Sequence, residues 1–368
     1  MKILGFEINK AKTAAEPTRA SETKPVQISN QGTKPSVPLK RAQPKAEIGD
    51  TGTKMSSGII IEEYNPDLQG RKGVEVYDKM RRSDGTVQAV VKACTLPVRR
   101  ATWFIECESE KDDTKSQEIK AFVEKALFDW MQETTWDDVI RQALIALPLG
   151  VMPFEKVYMA KDYENKTYIT LKKLAPRLPK SIYAWELSDG TFGIKQQRGD
   201  GVQVEIPGSK LVIFVNEKEG DNWYGTSILR AAYKHWYYKD RFYNIDAMSA
   251  ERQGLGVPLI KMPIGYTEAD QTKAEAAAAN LRANSSAFLV IPDGYTAEFM
   301  NMGASNTKDL TKSIEMHDKA ILLSTLTQFL GLGQTSSGSG SYALGQDHSD
   351  IFLKAEETVA NMIVSEMN

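Results

Sequence analysis

The chain has 368 residues, of which 41% are hydrophobic and 26% are charged. These proportions are typical of globular proteins, so they exclude a chain that is disordered throughout, and the length suits two or three domains. The formal net charge is only -2, which gives no electrostatic reason for the whole chain to bind nucleic acid.

The N-terminal segment, residues 1–58, differs from the rest of the chain in charge. It carries ten Lys and Arg against five Asp and Glu, so the remainder of the chain is acidic. Residues 8–58 are rich in Lys, Thr, Ser, Ala and Pro and have almost no aromatics. Such a segment cannot bury enough apolar surface to offset the entropy of ordering, so we predict a flexible basic arm over residues 1–58.

The cysteines and the apolar runs bear on the cellular compartment. Cys94 and Cys107 are the only cysteines, too few for a disulfide framework or a cysteine-rich zinc site, and both are expected to be core residues in a reducing cytoplasm. No apolar run approaches the roughly 18 residues of a membrane span, and MKILGFEINK lacks the apolar stretch of a signal peptide. We therefore expect the protein to remain in the cytosol where it is made.

Helical and extended patterns alternate after the arm. Val76, Met80, Val87 and Val90 recur at helical spacing around the tripeptide SDG, which predicts two short helices interrupted by it. ATWFIECE then alternates as a strand does, and SQEIKAFVEKALFDWM has apolar residues at helical spacing. A strand and another helix are therefore expected to follow.

A further helix is predicted for TTWDDVIRQALIAL. Thr135 and Asp138 have the spacing of an N-terminal cap, in which the shorter Asp replaces Glu, and Pro148 is expected to end the helix. From Pro153 to Val215, short β-rich runs separated by NK, DG, GDG and PG turns predict an antiparallel meander.

Two long helices enclose a small α/β unit in the second half of the chain. The first is predicted for residues 226–253 and the second for residues 306–330. Between them, GVPLIKMP indicates a strand, TEADQTKAEAAAANLRAN a capped helix, and AFLVIPDGYTAEFM two strands joined by a turn. The Gly/Ser-rich GLGQTSSGSGSYALG then leads to a last helix over DIFLKAEETVANMIVSEM. Together these elements predict an α+β fold.

The first long helix carries two apolar faces. One face holds Leu229, Ala232, Tyr233, Trp236, Tyr243 and Ala247, and the roughly opposite face holds Tyr238, Phe242 and Ile245. A helix buried on one side only would leave the second face in water, so a second packing partner is implied. A narrower cationic edge, formed by Arg230, Lys234 and Arg241, could face either water or an anion.

The sequence contains none of the common catalytic motifs. It lacks GxxxxGK[ST], a complete GxGxxG and a GxSxG elbow, and its three histidines lie far apart in the sequence. DHSD at 347–350 could hold a cation, but at the start of a helix it favours an N-terminal cap. The carboxylate pairs Asp137/Asp138 and Glu356/Glu357 are expected in first or exposed helical turns, and no partner for acid–base work is identifiable. We therefore predict no catalytic, metal or cofactor site.

The sequence alone allows two interpretations for the Gly/Ser-rich loop and two for the lysines of the second long helix. The SSGSG loop is either a flexible linker or a loop whose small hydroxyls and free backbone approach a phosphate backbone without reading its sequence. Lys308, Lys312 and Lys319 share a face of the second long helix with Glu315 among them. That stripe favours solvated intrahelical pairing, although it could also meet DNA.

Several phrases, taken in their order, resemble the portal proteins of tailed bacteriophages, and most of all the Mu-type branch. They are VYDKMRRSDGTVQAVVKACTLPVRRATWFIE, LPLGVMPFEKVY, YGTSILRAAYKHWYYKDRFYNIDAMSAERQGLGVPLIKMP and STLTQFLGLG. Each phrase alone is weak, but with the element order they cover residues 59–368.

The resemblance implies a ring, usually of twelve subunits, at one capsid vertex, through which double-stranded DNA is packaged and ejected. The implied domains after the arm are the wing (59–225), stem helices (226–253 and 304–330), the clip (254–303), the channel or tunnel loop (331–346) and a following helix (347–368). Portals commonly continue into a helical crown, which is here either absent or cut off. The implied partners are the large terminase subunit, the capsid or scaffold protein and the neck proteins, with no cofactor, in the virion and in the host cytoplasm during assembly.

The same layout assigns candidate site residues. Channel-loop residues facing DNA would be Gln334, Thr335, Ser336, Ser337, Ser339 and Ser341. Stem residues that could face DNA are Lys308, Lys312, Lys319, Arg230, Lys234 and Arg241. Stem packing would use Leu229, Tyr233, Trp236, Tyr238, Phe242 and Tyr243. The clip docking surface would include Lys261, Glu268, Asp270, Lys273, Glu275 and Arg282.

Two other classes of function stay open at the level of sequence. One is a metal-dependent DNA-processing enzyme that uses DHSD and nearby carboxylates, and the missing additional ligands count against it. The other is a monomeric binding module whose aromatic helix is simply core, which predicts no assembly at any concentration.

Overall fold

The computed structural model describes residues 5–7, 51–107, 114–255, 257–283, 296–300, 310–325, 327 and 341–368. The chain divides into two compact units. Unit 1 comprises Met1–Asp78, Lys92–Ser227 and Leu353–Asn368, and unit 2 comprises Lys79–Val91 and Ile228–Phe352. Residues 79–91, which the sequence alone places in the wing, thus belong to the same unit as both long helices.

The helices and strands alternate as an α+β protein requires. The helices are α1 (Gly70–Ser83), α2 (Gly85–Arg100), α3 (Thr114–Glu124), α4 (Trp136–Ala143), α5 (Ala146–Leu149), α6 (Tyr233–Leu255), α7 (Glu268–Ala283), α8 (Thr311–Ser324) and α9 (Ser341–Met367). The strands are β1 (Gly5–Glu7), β2 (Met55–Ser56), β3 (Ile59–Ile60), β4 (Thr102–Phe104), β5 (Val151–Tyr163), β6 (Lys166–Pro176), β7 (Ile182–Glu186), β8 (Phe192–Gln197), β9 (Gln203–Pro207), β10 (Leu211–Val215), β11 (Val257–Lys261) and β12 (Thr296–Met300). Among the described helices, none is long and apolar enough to cross a membrane.

The predicted meander is antiparallel throughout but forms two sheets rather than one. Strands β10, β5 and β6 form one three-stranded sheet, and β7, β8 and β9 form the other. β10 returns to pair with β5, with Leu211 opposite Glu155. Buried side chains from both sheets, among them Val151, Trp185 and Ile194, share one apolar core. β10 pairs with β5 rather than with the preceding strand β9, because this pairing lets both sheets bury the common core. The alternation of residues along a strand predicts which side chains are buried, but it does not predict which strand pairs with which.

The helix–break–helix prediction at the start of unit 2 is confirmed. α1 ends at Ser83 and α2 begins at Gly85. The side chain of Asp84 accepts hydrogen bonds from the backbone N–H groups of Thr86 and Val87, at 2.9 and 3.0 Å. Asp84 is therefore the N-terminal cap of α2.

The two ends of the predicted arm are structured, which corrects the prediction of a flexible segment over all of residues 1–58. Near the N-terminus, β1 pairs antiparallel with β4. Near the other end, the hydroxyl of Thr51 donates to Asp221 at 2.7 Å, and β2 pairs with β3. Backbone pairing and hydroxyl–carboxylate contacts with distant partners stabilise these ends, and composition alone does not reveal such partners.

Pro148 does not end the helix predicted for TTWDDVIRQALIAL. The cap is as expected, since Thr135 accepts a hydrogen bond from the backbone N–H of Asp138 at 3.2 Å. However, α4 ends at Ala143, and Pro148 lies inside the short α5, where a proline in the first turn loses no helical hydrogen bond. The chain turns instead at Gly150, whose φ is 89°.

The two C-terminal helices differ from their predicted bounds. α8 ends at Ser324 rather than near Leu330, because the hydroxyls of Thr325 and Thr327 capture the carbonyls of Ile321 and Leu322. α9 begins at Ser341, so residues 341–346 are helical rather than part of the loop. DHSD at 347–350 then lies within α9 and cannot be its N-terminal cap. A single Gly345 costs a helix only about 1 kcal/mol, which the longer helix tolerates.

Candidate functional site

The candidate site is the pair of helices α6 and α8 in unit 2, which pack against each other. Leu229 and Trp236 are buried, and Tyr233 is half-buried beside the Trp236 ring, with 6.1 Å between ring centroids. These three side chains pack as the first predicted face requires. The later members of the predicted faces behave differently.

The second half of α6 leaves its large apolar side chains in solvent within a single chain. The exposed fractions are 43% for Tyr238, 51% for Tyr243, 47% for Ile245 and 50% for Met248. We call these four side chains the α6 apolar surface. Tyr243 was expected on the core face, and its exposure shows that the core of one chain does not reach this part of the helix. Phe242 is half-buried against a histidine of α8.

A buried charge network joins α6, α8 and the start of α2. Only 4% of the Lys239 side chain is exposed, and its ammonium lies 2.8 Å from Asp84 and 2.5 Å from Asp318. The Thr86 hydroxyl donates to the same Asp318 oxygen at 2.6 Å and lies 3.3 Å from the Lys239 nitrogen. Asp84 therefore caps α2 with one oxygen and pairs with Lys239 through the other.

The network keeps Lys239 charged although it is buried. Burial alone would lower the pKa of Lys239, but hydrogen bonds from its ammonium to Asp318 and Asp84 outweigh that effect and hold the pKa above its ordinary value. Removing one member of such a network would leave an uncompensated buried charge, which is costly. The three helix segments are therefore tied together at this point.

Two histidines that are far apart in the sequence meet beside this network. The Nδ1 atoms of His235 and His317 are 3.0 Å apart, and the His317 ring stacks with the rings of Phe242 and Tyr238. Burial, and then the neighbouring His235, lower the pKa of His317 below its ordinary value. No third His, Cys, Asp or Glu completes a metal-binding group anywhere in the described part of the chain.

The predicted cationic residues of the two helices lie mostly at the surface. Lys234, Lys312 and Lys319 are exposed. Arg230 is half-buried, and the exposed Arg241 lies over the Tyr237 ring and donates to its hydroxyl. Within the described residues, no ion pair joins Lys312 or Lys319 to Glu315, so these two lysines are not paired within the helix.

Some predicted site residues fall outside what the structure describes. Lys308, Gln334, Thr335, Ser336, Ser337 and Ser339 lie outside the described residues, and of Ser341 only its place in α9 is described. In the predicted clip, Lys261, Glu268, Lys273 and Glu275 are exposed, and Arg282 lies in α7.

Asp270 has a structural role in this region. It accepts hydrogen bonds from the hydroxyl of Thr267 at 2.7 Å and from its backbone N–H at 3.2 Å, while its own N–H donates to Thr267. These bonds lower the pKa of Asp270 and form a capping box at the start of α7.

The phrases LPLG and YGTS, which carried part of the resemblance, meet in unit 1. The backbone N–H of Asn216 donates to the carbonyl of Gly150 at 2.8 Å, and the backbone N–H of Thr226 donates to the carbonyl of Asn216 at 2.8 Å. The Ser227 hydroxyl donates to the Pro148 carbonyl at 2.6 Å. A Cβ on Gly150 would lie 2.2 Å from the Tyr224 carbonyl oxygen. This junction fixes the chain just before it leaves unit 1 at Ser227.

Unit 1 also buries a carboxyl group that sequence reasoning treated as exposed. Glu356 of α9 is 2% exposed, and its Oε2 has no hydrogen-bond partner among the described residues. Burial raises the pKa of Glu356 to about 8. Cys94, a core residue as predicted, has a pKa raised to about 12 by burial and by the nearby Glu356. The Glu356/Glu357 pair thus splits, with only Glu357 exposed.

Three solved structures share similarity with this chain. The virion of a native gene transfer agent particle matches at 11% identity with a TM-score of 0.46, covering 77% of this chain and 75% of that chain. The neck of an empty gene transfer agent particle matches at 11% identity with a TM-score of 0.45. The match covers 74% of this chain and 75% of that chain. An HK97 family phage portal protein from Corynebacterium diphtheriae matches at 12% identity with a TM-score of 0.41. The match covers 70% of this chain and 81% of that chain.

A family model gives the more decisive comparison. The model described as the portal protein of Mu bacteriophage matches residues 74–368, which is most of the chain. The resemblance carried by the sequence phrases is thereby confirmed. The chain belongs to the Mu bacteriophage family of portal proteins.

Proposed function

We propose that this portal protein assembles into a closed ring of about twelve copies at one capsid vertex, in which α6 and α8 form the stem around the DNA passage. The observation that carries the proposal is the α6 apolar surface. Four large apolar side chains on one half-helix are more than a soluble monomer usually exposes together, and such patches mark interfaces. In a ring, each copy contacts one neighbour on either side. Closure would therefore bury Tyr243 on one face of α6 and the other three side chains on the roughly opposite face.

The ring would serve as a passage rather than as a catalyst. Sliding of DNA requires contacts that do not grip strongly, since each phosphate contact adds affinity. The exposed Lys312 and Lys319, free of ion pairs with Glu315, and the edge formed by Lys234 and Arg241 offer sparse positive charge of this kind. The Gly/Ser-rich residues 331–340, which lie outside the described residues, would contribute small hydroxyls to the passage. The energy for packaging would come from a separate ATPase.

The region from β11 to β12 would form the clip and dock other proteins of the packaging and neck machinery. Lys261, Glu268, Lys273 and Glu275 give it a mixed charged surface. Ile264 and Tyr266, in the turn before α7, add apolar surface, and Ile264 is fully exposed. A charged rim around exposed apolar side chains is the usual composition of a protein–protein interface. The wing would face the capsid or scaffold protein during assembly in the host cytoplasm.

Ring assembly is tested by placing charge on the α6 apolar surface. We expect the double variant Ile245→Lys/Met248→Lys to remain folded but to lose the ring, because burying each unpaired ammonium costs several kcal/mol. Light scattering and imaging in ice measure the mass and the presence of a central hole. Gln117→Lys/Gln132→Lys, which adds the same two charges at exposed positions of unit 1, is the matched control and should still assemble. A wild-type protein that stays monomeric with scaffold present, or a double variant that forms normal rings, would contradict the proposal.

Weak DNA contact by α8 is tested separately. We expect Lys312→Ala/Lys319→Ala to reduce the salt dependence of DNA binding by the ring, because the slope follows the number of phosphates neutralised, at about 0.9 per contact. The affinity should fall equally for unrelated sequences. Lys180→Ala/Lys210→Ala, two exposed lysines of unit 1, is the charge-matched control. An unchanged slope would show that these lysines do not meet DNA, while leaving the ring itself intact.

A further inference from the structure

The contact between α6 and α8 contains a histidine pair whose hydrogen bond depends on protonation. The two Nδ1 atoms of His235 and His317 lie 3.0 Å apart. His317 is only 7% exposed, and its ring is covered by Phe242 and Tyr238, with ring centroids 5.5 and 6.2 Å away. The pair therefore sits at a tight point of the helix contact, where the rings have little room to turn away.

Protonation has two different effects on such a pair. In the neutral pair, one Nδ1 carries the hydrogen and donates it to the lone pair of the other Nδ1. A first proton can be taken up at the Nε2 of the donor ring, and the hydrogen bond survives. A second proton must occupy the accepting Nδ1, so that two N–H groups face each other at hydrogen-bond distance and two positive charges come together. The bond is then lost and replaced by repulsion.

The surrounding charges do not relieve this repulsion. On α6, the exposed Lys234 adds positive charge near His317 and disfavours its protonation. On α8, Asp318 is the one carboxylate that favours a charged His317. Asp318 is already bound by Lys239 and by the Thr86 hydroxyl, while Asp84 at the start of α2 is bound by Lys239. Both Asp318 and Asp84 therefore already pair with Lys239.

We propose that the His235–His317 pair is an acid-sensitive latch, which holds α8 against α6 while at most one ring is protonated and releases it when both are. Lys239 stays charged over the same pH range, because its pKa lies above its ordinary value. The start of α2 therefore stays attached to α6 when the latch opens. The latch is a property of unit 2 and holds for any state of assembly.

Hydrogen exchange of α8 amides, measured by mass spectrometry on the full chain, tests the latch. After correction for the intrinsic pH dependence of exchange, protection over Thr311–Ser324 should fall between about pH 7 and about pH 5. A linked equilibrium changes about tenfold per pH unit for each proton taken up, so the loss should be at least about tenfold. Protection over the start of α2 should change much less.

His235→Asn is the decisive variant. The Asn amide places either an acceptor or a donor near the former Nδ1, so it can bond to His317 in both protonation states and does not titrate. Protection of α8 should then depend on pH much less than in the wild type, because only the burial of His317 still disfavours its protonation. His348→Asn removes the remaining histidine of the chain and should keep the wild-type response. His317→Asn provides a second test if His235→Asn unfolds. A wild-type protein whose α8 protection is flat with pH, or a His235→Asn protein that keeps the acid response, overturns the proposal.

Discussion

Gly150→Ala is expected to destabilise unit 1 by about 2–6 kcal/mol, which is a large part of the roughly 5–15 kcal/mol that stabilises a typical domain. The φ of Gly150 is 89°, which costs a residue with a Cβ about 1–3 kcal/mol. The added Cβ would also lie 2.2 Å from the Tyr224 carbonyl oxygen, a backbone atom that cannot turn aside. Overpacking of this kind costs about a further 1–3 kcal/mol.

Denaturant unfolding measures this loss directly. Gly201→Ala is the matched control, because Gly201 has a similar φ of 84° and nothing lies within 4 Å of its added Cβ. The control should therefore show the conformational cost alone, of about 1–3 kcal/mol. If both variants lose the same stability, the close approach of Gly150 to Tyr224 carries no energetic weight. If Gly150→Ala alone collapses, the meeting of LPLG and YGTS is a structural requirement of the fold.

Glu356→Gln is expected to stabilise the protein, and increasingly so as the pH rises. The pKa of Glu356 is about 8 in the folded protein against an ordinary value of 4.5. The folded state therefore keeps a proton that the unfolded chain releases. The stability linked to this group is fully present below about pH 4.5 and is lost as the pH rises through about 8. At about 1.4 kcal/mol for each pKa unit, the loss approaches about 5 kcal/mol above pH 8.

The glutamine has no proton to lose, so its free energy of unfolding should lack this decline. Urea unfolding at about pH 5, pH 6.5 and pH 8.5 should show little difference between variant and wild type at the lowest pH and a wide gap at the highest. Glu357→Gln, at the adjacent exposed position, should follow the wild type throughout. A parallel decline in wild type and Glu356→Gln would mean that the carboxyl finds a partner or reaches solvent when it ionises.

Both stability effects depend on contacts with distant parts of the chain, which the sequence did not predict. The Gly150 effect comes from the close approach of its backbone to Tyr224. The sequence phrase LPLG indicated the family resemblance but did not predict this contact. The Glu356 effect comes from burial of one member of a carboxylate pair that the sequence assigned to an exposed turn. Helical spacing did place Glu356 and Glu357 on different sides of α9, but it could not say which side the core covers.

The long-range contacts of unit 2 lie beyond sequence reasoning for the same reason. His235 and His317 are 82 positions apart, and Lys239 reaches Thr86 across 153 positions. Sequence separation hid the histidine pair, although both residues sat on helices that were predicted. An apolar face interrupted by a lone lysine, as at Lys239, was the available signal for a buried charge partner. The identity of that partner depended on how three helices pack.

The sequence by itself determined the order of helices and strands, the break at Asp84, the cap at Thr135 and the family, because periodicity, caps and turns are local and leave their mark within a few residues. Only the tertiary structure decided which strands share a sheet, where α8 ends and α9 begins, and which charges are buried. Those outcomes depend on the free energy of burial, which is set by surfaces brought together from distant parts of the chain.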